Sequence, residues 1–198
     1  MKSKLTLLAS MILPLILLAS CQPELALHPW YNEKELVLEP GFAGEWLSLD
    51  SDGKPDTDSE FTIAQDIAMG YTINLHDSAA PDLKYSWEAH LFRANGQLFV
   101  DGVQQQTKYK GQDTVELFVP GHFVGRVKLD GDKLSVKCLD DEWTAKALNA
   151  NPALIKHEMI DKDSAVLLAP TAELREFALA HASDEKAFST NFDFVRKR

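Results

Sequence analysis

From Gly44 to Leu139 the chain alternates apolar and polar residues with a period of two. Phe61 and Ile63 are separated by Thr62. Met69, Tyr71, Ile73 and Leu75 alternate with Gly70, Thr72 and Asn74. Tyr85, Trp87, Ala89 and Leu91 alternate with Ser86, Glu88 and His90, and Phe123, Val127 and Leu129 follow the same rhythm. Such runs predict strands with one face in a core and the other in water. Asn95-Gly96 and Asp130-Gly131 lie between runs and suit the positive φ angles of tight hairpins, whereas Asp52-Gly53 sits in a longer loop. No stretch between the runs is long enough for a crossover helix, so the sheet is expected to be an antiparallel meander. Roughly seven to ten such strands hide their edges by closing or by pairing as two sheets. The expected fold class is mainly β, a meander closed into a barrel, with a β-sandwich as the alternative.

The pattern changes after Leu139. Asp140 or Asp141 suits the cap of a short helix in which Trp143 and Ala147 share a face, ended by Asn151-Pro152. Residues 155–160 and 165–168 predict a hairpin across Asp161-Lys162-Asp163. Thr171 is placed to cap a second helix carrying Leu174, Phe177, Ala178 and His181 at helical spacing, and Ser183 to cap one more turn. Two or three short helices are therefore expected in the C-terminal third. Phe192 to Val195 reads as a final strand or a packed tail.

The N-terminus follows neither period. Lys2 and Lys4 precede an apolar run from Leu5 to Leu18, too short for a comfortable membrane span and typical of a secretory signal. Leu18-Ala19-Ser20-Cys21 closes that run. This stretch resembles the lipobox of bacterial lipoproteins, in which the cysteine is lipidated. The resemblance implies residues 1–20 as a signal peptide, lipidation at Cys21 and a cell-envelope location anchored to a membrane by lipid. Gln22 stands where an aspartate commonly retains enterobacterial lipoproteins in the inner membrane. In a cell with two membranes the family rule therefore points to the outer membrane, facing the periplasm. Residues 21–34, with two prolines and few aliphatics, read as a lipidated tether. Glu35 to Leu38 reads as a first short strand, opening a single domain over residues 35–198.

Charge narrows the partners. Without Lys2 and Lys4, eighteen basic residues face thirty acidic ones, a balance of −12. Such a surface repels phosphate backbones and anionic lipid, so nucleic acid is not an expected partner and membrane attachment falls to the lipid. With Cys21 acylated, Cys138 has no cysteine to pair with. It shares a strand face with Leu134 and Val136 and reads as a small buried hydrophobe, with a reactive thiol as the alternative.

Candidate chemistry is sparse. Asp50, Asp52, Asp56 and Asp58 gather around Gly53 and look like single calcium-binding repeats, yet the spacing is not that of an EF-hand and a solvated acidic turn accounts for them. His28, His76, His90, His122, His157 and His181 show no metal-ligand spacing, and no nucleophile elbow or phosphate loop occurs. No cofactor is expected, and the leading reading is non-catalytic.

Gly44-Glu45-Trp46 resembles the Gly-x-Trp start of lipocalins and related calycin barrels. There the tryptophan closes the barrel floor beneath a late basic residue, a part that Arg126 or Arg196 would play. Ala89 to Phe92 and Ala169 to Leu174 are similar to segments of uncharacterised bacterial lipoproteins and imply no activity. Trp46, Tyr71, Tyr85, Trp87, Phe99 and Phe123 are the candidate lining of a cup for a small apolar molecule. The same aromatics fill a dry core equally well, which would suit an inhibitor or assembly factor bound to an envelope protein. An envelope hydrolase is the third reading.

Overall fold

The computed structural model describes residues 23–105, 107–113 and 120–198, so the lipobox with Cys21 and Gln22 lies outside the described residues. The strands in chain order are β1 (Leu25–Ala26), β2 (Gly44–Leu49), β3 (Pro55–Ile67), β4 (Gly70–Asp77), β5 (Leu83–Ala94), β6 (Gln97–Gln104), β7 (Lys108–Tyr109), β8 (Gln112–Asp113), β9 (His122–Asp130) and β10 (Lys133–Cys138). Helix α1 (Asp141–Ala150), β11 (His157–Met159), β12 (Ala165–Leu167), α2 (Thr171–His181) and β13 (Thr190–Arg196) complete them.

Eight of these strands form a closed antiparallel barrel. β2 to β6 are joined by successive pairings, β6 pairs with β9, and β9 with β10. The expected meander stops there. β13 returns after both helices, inserts between β10 and β2, and closes the ring. Tight turns drive the hairpins: Asn95 and Gly96 take φ of 50° and 78° between β5 and β6, and Gly131 takes 59° between β9 and β10.

Strand alternation sorts the side chains into two cores. One fills the closed end of the barrel and includes Phe42, Trp46, Tyr71, Ala89, Leu91, Val100 and Leu134. The other lies outside the wall made by β5, β6 and β9, where Phe92, Phe99 and Val124 are covered by Leu148 of α1, Leu174 and Phe177 of α2, and Phe188. That outer layer explains why β5 and β6 are apolar on both faces near their shared turn. Asp140 caps α1 by accepting from the Trp143 backbone N–H at 2.9 Å, and its second oxygen accepts from Ser189 and Thr190.

Several sequence expectations are corrected. Residues 23–34 are not a free tether. β1 pairs in parallel with β12 and antiparallel with β9, Glu24 N–H donates to Leu139 O at 2.8 Å, and Trp30 is fully buried. A short segment with few aliphatics still joins the fold when one tryptophan supplies the buried area. The domain thus includes Pro23 onward. Residues 35–38 form no strand; a 3-10 turn spans Glu33–Glu35 and Leu36 makes an isolated bridge to Phe92. Met69 is an exposed turn residue at φ 55°, not a strand residue. Thr171 is the first residue of α2, with Pro170 at the cap position and no side-chain cap bond. The further turn expected after Ser183 forms over residues 185–188, but Asp184 rather than Ser183 accepts from the Lys186 N–H, at 2.8 Å.

Candidate functional site

The strands deliver their inward side chains in tiers. One tier runs across the register Gly44, Ile63, Ile73, Trp87 and Gln104. Another runs through Trp46 and Phe61. All of these except Gly44, together with Val100, Leu134, Val136 and Phe194, line a cavity of about 520 Å³ inside the barrel. That volume lies in the range of small-molecule pockets. None of the described residues lining it is charged.

The cavity has a closed end and a mouth. Trp46 is fully buried and its Nε1 donates to Phe42 O at 3.0 Å, so the segment before β2 folds under the barrel. Arg196 sits over the indole with its guanidinium 4.2 Å from the ring centroid, and Nη1 donates to Ala43 O at 3.2 Å and Nη2 to Gly41 O. Arg196 is therefore the basic partner of Trp46. Arg126 lies elsewhere, stacked on Phe188 and bound to Glu185 outside the barrel. Gly44 takes φ 145°, a conformation that strains any residue with a side chain, and a Cβ there would stand 2.1 Å from Arg196 Nη1 and displace the guanidinium. At the opposite end, Leu25 and Phe192 line the cavity while remaining 42% and 41% exposed, which marks the opening. Pro23 and Gly121 belong to the same rim.

Three of the six expected lining aromatics meet in this space: Trp46 at the closed end, and Trp87 and Phe123 toward the mouth. Tyr71 lies below it, edge-on to Phe42, with its hydroxyl accepting from Glu39 N–H at 2.9 Å. Tyr85 pairs with Leu75 farther along the wall and does not line the cavity. Phe99 is corrected: it points out of the barrel, stacked on Phe92 5.2 Å away, because Val100 takes the inward position of β6. The small inward residues do not create the space. A Cβ on Gly102 would fall 2.2 Å from the Phe123 ring, and one on Gly125 would fall 2.7 Å from Val136. Both glycines admit a neighbour rather than leave a void.

Sequence reasoning missed Phe61, Ile63, Ile73, Val136 and Phe194 as lining residues, although their period matched that of Trp87. It also passed over Gln104, the one carboxamide among the described lining residues, whose Nε2 donates to Thr107 Oγ1 at 3.3 Å.

The remaining candidates disperse. Asp50 Oδ1 accepts from the backbone of Asp52 and Lys54, and Asp56 Oδ1 from Asp58 N–H, so two of these carboxylates hold a turn and the start of β3. Asp58 accepts from Ser78 Oγ at 2.8 Å. No group of metal-ligating side chains converges among the described residues. Cys138 lines the cavity fully buried, and burial pushes its thiol up to about 12, so it stays protonated and unreactive. His122 Nδ1 lies 2.9 Å from Asp101 Oδ1, but Asp101 Oδ2 accepts from Trp30 N–H at 2.8 Å. That pair latches the N-terminal segment to the barrel wall. Glu24 is fully buried on the helical side of β1, and among the described residues no side chain bonds its oxygens; only the backbone N–H of Leu25 lies close enough to favour the charged form. Burial first, then Asp141 and Asp140, raise its carboxyl to about 9 and keep it neutral.

Among the described residues no helix is long and apolar enough to cross a membrane. No protein-family model, curated protein or solved structure matches this chain.

Proposed function

We propose that this protein is a lipid-anchored lipoprotein of the cell envelope whose barrel binds one small apolar molecule. The observation that carries this reading is the apolar cavity of about 520 Å³, closed at Trp46 and open at Leu25 and Phe192. A domain that needed only stability would gain by filling such a space, since each buried void forfeits dispersion contacts. The lipobox-like Leu18-Ala19-Ser20-Cys21 supports the anchor, and Cys21 stands two residues before a rim residue of the cavity. The mouth would then lie at the lipid surface, where apolar molecules concentrate. The Gly44-x-Trp46 start with Arg196 over the indole supports likeness to lipocalin-type barrels. A filled barrel acting only through protein contacts is the weaker reading, because the interior is hollow.

The test is mass spectrometry of organic extracts from the protein purified out of its own membrane, beside Val136→Trp. Val136 lines the cavity, and an indole there would occupy it. An apolar compound carried by the parent and absent from a folded Val136→Trp supports the reading. The same extract from both proteins, or none from either, refutes it.

A further inference from the structure

The polarity of the lining says which apolar molecule fits, an argument that rests on the binding reading above. Among the described residues the wall carries no charged side chain, and Cys138 contributes a neutral thiol. A carboxylate, phosphate or ammonium drawn inside would lose its hydration with no counter-charge to replace it. Among the described residues the lining does hold one carboxamide. Gln104 ends β6, directly across from Trp87 on β5, and its side chain shares the inward tier with Ile73 and Ile63. It lies at the mouth end of the strand, whereas Trp46 stands at the closed end. One amide offers a carbonyl acceptor and two N–H donors, of which one goes to Thr107 Oγ1.

We infer that the cavity takes an uncharged amphiphile, with its apolar body against Trp46 and a single neutral hydrogen-bonding end group, such as a hydroxyl, ester or amide, held by Gln104. The carboxamide would then select the polarity of the end group, and a lining that is uncharged among the described residues would reject free fatty acids and cationic lipids.

The full chain, reconstituted in neutral phosphatidylcholine vesicles, is titrated with four probes brominated at one chain terminus: 12-bromododecanol, 12-bromododecanoate, 12-bromododecyltrimethylammonium and 1-bromododecane. Quenching of the cavity tryptophans, Trp46 and Trp87, reports entry. The alcohol should bind at least tenfold more tightly than either ion at equal mole fraction in the bilayer. Gln104→Leu should weaken the alcohol by roughly three- to tenfold, as expected for one lost hydrogen bond, and leave bromododecane unchanged. Gln104→Met keeps the side-chain length without the amide and should behave in the same way if the leucine variant fails to fold. The inference is overturned if either ion matches the alcohol, or if both variants weaken the alcohol and bromododecane alike. Failure of all four probes to quench overturns the binding reading beneath it as well.

Discussion

Arg196, the last residue of β13, lies 4.2 Å above the ring of Trp46, the third residue of β2, and its guanidinium bonds the carbonyls of Gly41 and Ala43. One side chain thus joins the last strand of the barrel to the segment that seals its floor. β13 and β2 are also the strands whose pairing closes the ring, so this contact locks closure at their shared register Arg196–Trp46.

Removing the guanidinium should therefore loosen the floor. Arg196→Leu is expected to cost about 1–3 kcal/mol, combining a partly buried cation–π contact with lost charge-assisted bonds. Arg196→Lys should recover little, because a single ammonium reproduces neither the planar stack nor the fork. Gly44→Ala should cost a similar amount by driving a methyl into the guanidinium. Urea midpoints of the three variants check this. An Arg196→Lys protein as stable as the parent would show that charge alone matters there.

This floor was half legible in the sequence. Gly44 and Trp46 were visible as a strand start, but Arg196 stands 150 positions beyond Trp46, and nothing in a period of two ranks it above Arg126. The barrel was readable because hairpin strands announce themselves through alternation and turn residues, both local properties. What was not local failed. β13 belongs between β10 and β2 only because the helical excursion returns it there, and sequence alone does not say which way Phe99 faces, because β6 is apolar on both faces under the outer helices. The N-terminal segment carries too few apolar residues to announce a strand, and its one tryptophan is decisive only in three dimensions.

That segment gives the second prediction. Trp30 is fully buried, and its N–H donates to Asp101. Trp30→Ala should destabilise the protein by about 3–5 kcal/mol, as for other large core truncations. Asp101→Asn should cost about 1–3 kcal/mol through weakened bonds to Trp30 and His122. A mobile tether predicts no change in either case, so denaturant midpoints separate the two descriptions cleanly.

Glu24 makes stability depend on pH. Its carboxyl value of about 9 in the folded chain stands above the ordinary 4.5, so the folded protein keeps a proton that the unfolded chain releases between those values. Stability from this group is therefore greatest below about pH 4.5 and falls as pH rises toward 9. Glu24→Gln preserves the shape and removes the titration. The variant should match the parent near pH 4 and exceed it by about 1–3 kcal/mol near pH 8. Unfolding curves at the two pH values decide, and a difference independent of pH would remove Glu24 as the cause.

Cys138 should behave as packing, not chemistry. Its thiol is buried and held up to about 12, so native-state labelling by thiol reagents should be slow compared with the unfolded chain. Cys138→Ala should fold at a cost of about 1 kcal/mol and keep ligand binding. Rapid labelling of the native protein would instead expose a thiolate that the present geometry does not provide.

The last prediction joins the anchor to the cavity. Only Gln22 separates Cys21 from Pro23, and Pro23 lies on the cavity rim. Two residues of extended chain span at most about 7 Å, far short of a flexible 12-residue tether at roughly 20 Å. If Cys21 carries the lipid, the mouth therefore sits against the bilayer, although the acidic surface of the domain disfavours flat docking on anionic lipid. Cys21→Ser should remove the lipid mass and leave an unlipidated precursor. A 12-residue Gly/Ser spacer inserted after Gln22 should keep the anchor and the fold but lift the mouth away. Ligand transfer from vesicles should then slow, while the affinity for ligand already in solution stays the same, since the lining is untouched. Equal transfer rates with and without the spacer would show that loading does not run through the membrane face, whatever the lipid does for location.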